Sequence, residues 1–292
     1  MSKNILIIGG SGFLGKNLIK RCKNYNWSIY ATYYKNKINE KNVKSFFLDL
    51  SNPKIPKKYK INFDCVFFSA GKIDHNDKNS DDILNEHFYS VIKITDQLKI
   101  KKFFYLSTAD EYKSSKKKLN ENNSELSFKT FYALANHLAG QYLLTLNEMK
   151  ILKTIVYRVF IIYGPGQNTN RFIPNIITSL INNKRFIILN GSLQKDFLYI
   201  DDFIDVIFQS IKKKSLYGKI VNIGSGKSIK LSYLGIKIFN LIKKGKVISY
   251  SKKSKKSGSQ YSSISLIKKN TNWKPKVSIR EGILKKINYY KK

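Results

Sequence analysis

Residues 4–22 read NILIIGGSGFLGKNLIKRC. The apolar run Asn4 to Ile8 has the composition of a buried β-strand, a glycine turn follows, and Phe13, Leu14, Leu18 and Ile19 recur at helical spacing. The glycines fall at Gly9, Gly12 and Gly15. In a strand–turn–helix unit the first of these permits a tight turn, the second lets the backbone approach a pyrophosphate, and the third lets helix and strand pack closely. The free N–H groups and the dipole at the start of the helix would then receive the anion. The stretch therefore predicts dinucleotide binding, with Gly9, Gly12, Phe13, Leu14 and Gly15 as contacts.

Further β-rich apolar runs follow at 28–34, 44–50, 64–71, 103–108 and 153–160, and helical patterns cover 80–99 and 128–148. Such alternation predicts an α/β fold, a doubly wound parallel sheet of Rossmann type with helices on both faces. Ligands of these sheets bind at the carboxyl ends of the strands, where Asp49, Ala70, Gly71, Ser107, Thr108 and Phe160 are expected. The dinucleotide domain is expected to span 1–165 with a return segment at 198–224. A smaller C-terminal α/β substrate lobe would take 166–197 and 225–292.

The chain has 292 residues, 42% of them hydrophobic, enough for a well-buried core. No stretch approaches the roughly 20 apolar residues of a membrane helix, and Met1-Ser2-Lys3 leads directly into the first strand, so a cytoplasmic protein without membrane association is expected. Two cysteines, Cys22 and Cys65, build no disulfide framework, and the three histidines show no metal spacing; no metal is expected. The net charge of +35 raises the question of nucleic acid, since lysines neutralise phosphates. Lysine, however, is spread along the chain among many asparagines and isoleucines, as a bulk compositional bias would leave it, and a nucleic-acid partner is not expected. Locally basic runs occur only at Lys116-Lys117-Lys118 and at Ser251 to Gly258.

The order of motifs resembles the extended short-chain dehydrogenase/reductases, the NAD-dependent epimerase/dehydratase group that works mostly on nucleotide sugars. The matching pieces are GGSGFLG (9–15), Asp49-Leu50, VFFSAG (66–71), YLSTADEY (105–112), YALANHLAGQ (132–141), RVFIIYGPGQ (158–167), KDFLYIDD (195–202), VNIGSGKSI (221–229) and NWKPKVSIREGI (272–283). The resemblance implies a nucleotide-sugar substrate, a homodimer through the helices near 80–99 and 128–148, and an adenine contact at Asp49 and Leu50. It also implies a catalytic Thr108 and Tyr132, the tyrosine as general acid/base on a sugar hydroxyl or ketone. Lys195, standing where the family has an arginine, and Arg171 are the candidate substrate contacts. NADP is favoured over NAD, because the end of the second strand reads Thr32-Tyr33-Tyr34-Lys35 and lacks the carboxylate that would hold a ribose 2′-hydroxyl.

One departure is central. The family's tyrosine is followed four residues later by a lysine, on the same helix face, whose charge stabilises the phenolate. Here that position is Asn136, which can hydrogen-bond a ribose hydroxyl but carries no charge. Tyr-x-x-x-Lys pairs do occur at Tyr33/Lys37, Tyr89/Lys93, Tyr112/Lys116 and Tyr233/Lys237, none at the right distance after the catalytic strand. Lys129 is a candidate substitute cation. Ala109 and Asp110, where a 4,6-dehydratase would carry two acids, argue against that reaction. The expected activity is an NAD(P)-dependent nucleotide-sugar epimerase or 4-ketoreductase with an atypical site. The alternative is a catalytically impaired module that binds dinucleotide or nucleotide sugar.

Overall fold

A computed structural model of the chain describes residues 2–71, 79–250 and 258–291; most of the basic run at 251–258 lies outside the described residues. Seven strands form the main sheet: β1 (Lys3–Ile8), β2 (Trp27–Tyr33), β3 (Val43–Phe47), β4 (Cys65–Phe68), β5 (Lys102–Thr108), β6 (Lys153–Val159) and β7 (Lys219–Ile223). Their order is β7-β6-β5-β4-β1-β2-β3, and the sheet is parallel. Ile5 aligns with Ile29 on one side and Cys65 on the other, which places β1 inside the sheet, and the strand order reverses between β1 and β4. The expected doubly wound Rossmann architecture is thus present.

The strand sequences explain the burial. Ile5, Leu6, Ile7 and Ile8 are all fully buried, as are Val66 and Phe67, so both faces of the central strands are covered. On one face Leu6, Ile8, Val66, Phe68, Phe103 and Tyr105 pack with Val91, Ile94, Ala139 and Leu143 of the covering helices. Those helices are α3 (Ser90–Gln97) and α4 (Phe131–Glu148). A short helix, α2 (Ser80–Leu84), runs into α3 through one π-helical turn, Asn85–Tyr89. α4 starts at Thr130, whose hydroxyl accepts the Ala133 N–H at 3.1 Å. Its small residues allow close approach to the sheet, and a Cβ at Gly140 would lie 3.2 Å from Val156.

The chain divides into two compact units, 1–113 with 125–158 and 210–221, and 114–124 with 159–209 and 222–292. This partition differs from the boundaries read from the sequence in three places, each with a local reason. The chain leaves the first unit after Arg158 because Ile161–Tyr163 pairs in parallel with Phe197–Tyr199 instead of extending β6. The returning segment is only 210–221, because most of the helix Ile200–Ser210 belongs to the second unit. Residues 114–124 join the second unit through Leu119, which bridges to Ser262 and whose carbonyl accepts from the Asn222 amide at 2.9 Å. The second unit is α/β, as expected, but its strands form two-stranded pairs, including Arg185–Ile188 with Lys246–Ser249. Asp202 accepts the backbone N–H groups of Lys276 and Val277.

In the first unit the helix α1 (Phe13–Cys22) is held against β1 by the absence of a side chain at Gly15. A Cβ there would sit 2.1 Å from the Gly9 carbonyl oxygen and 2.7 Å from the Gly10 Cα, both backbone atoms that cannot rotate away. Gly15→Ala is expected to destabilise the protein by about 2 kcal/mol or more, and to weaken dinucleotide binding. Thermal unfolding with a parallel NADP titration checks both.

Candidate active site

The glycine turn is built for a close ligand. Gly9 has φ +82°, and a Cβ on it would strike Ala70 at 2.7 Å, so the ends of β1 and β4 touch at the point where the strand order reverses. The Gly9 N–H is held by the Thr32 hydroxyl at 3.0 Å. Gly12 is the N-cap of α1 and offers no side-chain cap, which leaves first-turn N–H groups, those of Phe13 and Leu14, for an anion. These residues fit a dinucleotide pyrophosphate. Asp49 makes a turn with its own neighbour, accepting from the Ser51 N–H at 2.9 Å and hydroxyl at 2.8 Å, and Leu50 packs on the core beside it. Beyond the end of β2 a cavity of about 170 Å³ is lined by Ser11, Lys16, Asn36, Lys37 and Glu40. The Glu40 carboxylate is bound to Lys23 at 2.5 Å, so the lysines that line the cavity, Lys16 and Lys37, give it a net positive lining.

At the end of β5 the sequence motif divides into two roles. The Thr108 hydroxyl accepts the Asp110 N–H at 3.1 Å and caps the short 3₁₀ turn Ala109–Glu111, which leaves its own proton free to be donated. Ser107, expected at the cofactor, donates its hydroxyl to Glu111 Oε1 at 2.5 Å. Glu111 is only 2% exposed and also receives Arg158 Nε at 3.0 Å, Arg158 Nη2 at 2.9 Å and His137 Nδ1 at 3.0 Å. Burial works against the Arg158 charge, yet the Glu111 carboxylate and Tyr112 together hold its pKa above the ordinary value. Its guanidinium lies 4.7 Å from the centre of the Tyr112 ring. Glu111 is thus an internal anchor of the strand end. Arg158, which the sequence reading passed over, was visible as a charge inside the apolar run KTIVYRVF.

Tyr132 lies in the first turn of α4, buried with Ile83 and Ala135. Asn136, one turn on, is 1% exposed. Its Nδ2 donates to the Tyr132 carbonyl at 2.8 Å and faces His87 Nδ1 at 3.4 Å, while its Oδ1 accepts from the Tyr105 hydroxyl at 3.0 Å. The amide is therefore engaged inside the protein. Burial first, with Tyr132 and Glu111 adding to it, pushes the Tyr105 phenol well above its ordinary pKa, consistent with a permanent donor. The His87 ring meets the Tyr132 ring edge-on at 5.0 Å. Tyr105 opens the motif YLSTADEY without being marked by it, and His87 lies in no motif. Lys129, the candidate substitute cation, is exposed on the segment before the helix cap.

The remaining candidates lie in the second unit. Phe160 is buried, and its N–H donates to the Ile223 carbonyl at 2.9 Å. Arg171 stands at the N-cap of the helix Phe172–Ile181, half-buried. Lys195 donates to Gln260 Oε1 at 2.9 Å. Its neighbour Asp196 is buried and gathers the Ser225 and Ser262 hydroxyls at 2.6 Å each, tying three segments of that unit together. Among the described residues no cluster of three or more metal-ligating side chains occurs, and no helix is long and apolar enough to cross a membrane.

Fold and strand-end residues define a dinucleotide-binding α/β protein, and comparison with known proteins narrows the class. Residues 5–224 match the family model described as the NAD dependent epimerase/dehydratase family, and the chain belongs to that family. It is 29% identical over 278 residues to a dTDP-D-glucose 4,6-dehydratase of Dictyostelium discoideum, a match that covers 82% of this chain but 62% of that protein's length. A putative UDP-glucose 4-epimerase of Methanocaldococcus jannaschii is 25% identical over 312 residues, covering 98% of both chains. In structure the chain is similar to a UDP-glucuronic acid 4-epimerase from Bacillus cereus in complex with UDP-glucuronic acid and NAD. That likeness has a TM-score of 0.87 and 18% identity, over 99% of each chain.

The buried cluster on Glu111 carries its own expectation. Glu111→Gln keeps the shape but leaves the Arg158 charge without its counter-charge, and is expected to cost about 3 kcal/mol of stability. Urea unfolding of the two proteins measures the difference.

Proposed function

We propose that this chain is an NADP-preferring reductase of a 4-keto nucleotide sugar, with Tyr132 as the proton donor. The observation that carries the reading is Asn136. The position that would supply an ammonium to the phenol holds an amide, and that amide is bound to Tyr105 and to the Tyr132 carbonyl. An epimerase must begin by taking a proton from a sugar hydroxyl, which calls for a phenolate stabilised by nearby positive charge. A reductase is given a ketone and needs only an acid, a role in which a phenol without that charge serves well.

When bound, the reduced nicotinamide supplies the hydride. The chain's own part is at the carbonyl oxygen of the substrate. The Tyr132 hydroxyl gives that oxygen its proton, and the Thr108 hydroxyl, whose oxygen is already held by the Asp110 N–H, donates a hydrogen bond to it. The glycine turn and the first turn of α1 hold the pyrophosphate. The preference for NADP is supported by the Lys16 and Lys37 side chains in the cavity after β2, which suit a 2′-phosphate. Arg171 and Lys195 are proposed to meet the diphosphate of the substrate. The names of the relatives, epimerases and dehydratases of UDP- and dTDP-sugars, support a nucleotide sugar as the substrate class.

A second reading is favoured by the same engaged amide, namely that the fold binds its ligands and no longer turns them over. Turnover of a panel of 4-keto nucleotide sugars with NADPH decides between them. The reductase reading expects reduction by the wild type and loss of at least about a hundredfold in Tyr132→Phe. Dinucleotide binding with no turnover of ketone or alcohol forms sinks it, and interconversion of 4-epimers without added reductant points to an epimerase. Separately, Lys37→Glu is expected to weaken NADP about tenfold, equivalent to about 1.4 kcal/mol, with little change for NAD. Calorimetric titration of the two cofactors measures that ratio.

A further inference from the structure

We propose that His87 is the positioning residue for Tyr132, a neutral imidazole protonated on Nε2 that fills the space of the absent lysine and orients the tyrosine ring through its edge-on contact. The proposal rests on the reading that Tyr132 carries the reaction.

The placement of His87 comes from the backbone. It lies in the π-helical turn Asn85–Tyr89 between α2 and α3, and such single turns re-aim the side chains they carry. Its neighbours Glu86 and Phe88 are more exposed, whereas His87 is 3% exposed. The ring rests on Gly71, just after β4: Gly71 has φ +119°, and a Cβ there would lie 2.1 Å from His87 Cε1. A strand end expected to face the cofactor is therefore glycine in order to admit this ring. On its other side the imidazole meets the Tyr132 ring at 5.0 Å and 87°.

The tautomer follows from the hydrogen-bond network rather than from observed protons. Asn136 Nδ2 is fixed by the Tyr132 carbonyl at 2.8 Å, since a flipped amide would set two oxygens against each other, and the Tyr105 hydroxyl donates to Oδ1 at 3.0 Å. The second proton of that amide then points at His87 Nδ1, 3.4 Å away, which must accept it. The ring proton consequently sits on Nε2. Among the described ionisable side chains on the elements packed around His87, Tyr105 and Tyr132 face it. Asp81 and Asp82 of α2 and Lys93 and Asp96 of α3 are exposed, and His137 of α4 is bound to Glu111.

A lysine at position 136 would project into this filled space. Asn136→Lys alone is expected to destabilise the protein and to restore nothing, whereas His87→Ala with Asn136→Lys makes room for the longer chain. The first experiment is a double-mutant cycle on urea unfolding of the full chain, which needs no substrate. A coupling of at least tenfold in the unfolding equilibrium, with the double variant more stable than Asn136→Lys alone, supports the proposal; additive effects overturn it. The second is ¹⁵N NMR of the imidazoles at pH 7, where the His87 signals are identified among those of the three histidines by their loss in His87→Asn. An Nε2-protonated neutral ring is expected, and an imidazolium or Nδ1-protonated ring overturns the assignment. Where turnover is measurable, His87→Ala is expected to lower kcat at least tenfold, with NADP affinity changed less than threefold. His87→Asn, which returns an acceptor near the Nδ1 position, is expected to recover most of that loss, and His87→Leu none of it. Recovery by leucine would reduce the residue to a space filler. Loss of turnover in every protein including wild type would count against the reductase reading alone, because the cycle and the NMR signal stand without it.

Discussion

The missing side chain of Gly15 lets α1 lie on the Gly9 carbonyl, and the rest of the first unit is arranged around that contact. Any Cβ would stand 2.1 Å from the oxygen, so the approach exists only with glycine. It brings the uncapped start of the helix to the end of β1, and Gly9 in turn touches Ala70 at the end of β4. Two strand ends and one helix N-terminus thereby share a single point, where an anion gains from N–H donors and dipole together. Burial of the apolar strands supplies the stability of this arrangement, but steric permission at two glycines decides its geometry.

Around that point two buried polar networks do different work. Glu111 collects a serine hydroxyl, a guanidinium and an imidazole, and every one of these contacts stabilises the strand end that carries Thr108. Such a cluster tolerates burial only because its charges and lone pairs are answered within it. Asn136, Tyr105 and His87 form the second network, which holds no strong charge pair and meets Tyr132 at its backbone carbonyl and at its ring. The contrast has a chemical meaning. Arg158 and His137 are both committed to Glu111, and the side chain offered to Tyr132 by position 136 is neutral.

Sequence patterns carried most of the first unit. The glycine spacing, the alternation of strand and helix and the order of the motifs anticipated the sheet, its parallel sense and the placement of Thr108 and Tyr132 on β5 and α4. Boundaries were less legible. Ile161–Tyr163 reads as a continuation of the apolar run before it, and only its pairing with Phe197–Tyr199 shows that the chain has already left the first unit. Segment 114–124 looks like a surface loop in sequence, yet it is attached to residues about 100 and 140 positions away, at Asn222 and Ser262.

The sequence by itself determined that a strand, a glycine turn and a helix would form a dinucleotide cradle, because those features depend on local sterics and periodicity. It also showed that the position four residues after Tyr132 carries no lysine. What fills the place of that lysine was decided by tertiary structure alone. His87, Gly71, Tyr105 and Asn136 come from four separate segments, and none has a spacing that ties it to the others. Their association depends on a π turn, on one glycine with positive φ and on the packing of α4 over β5. Long-range contacts of this kind leave no periodic trace in a single sequence.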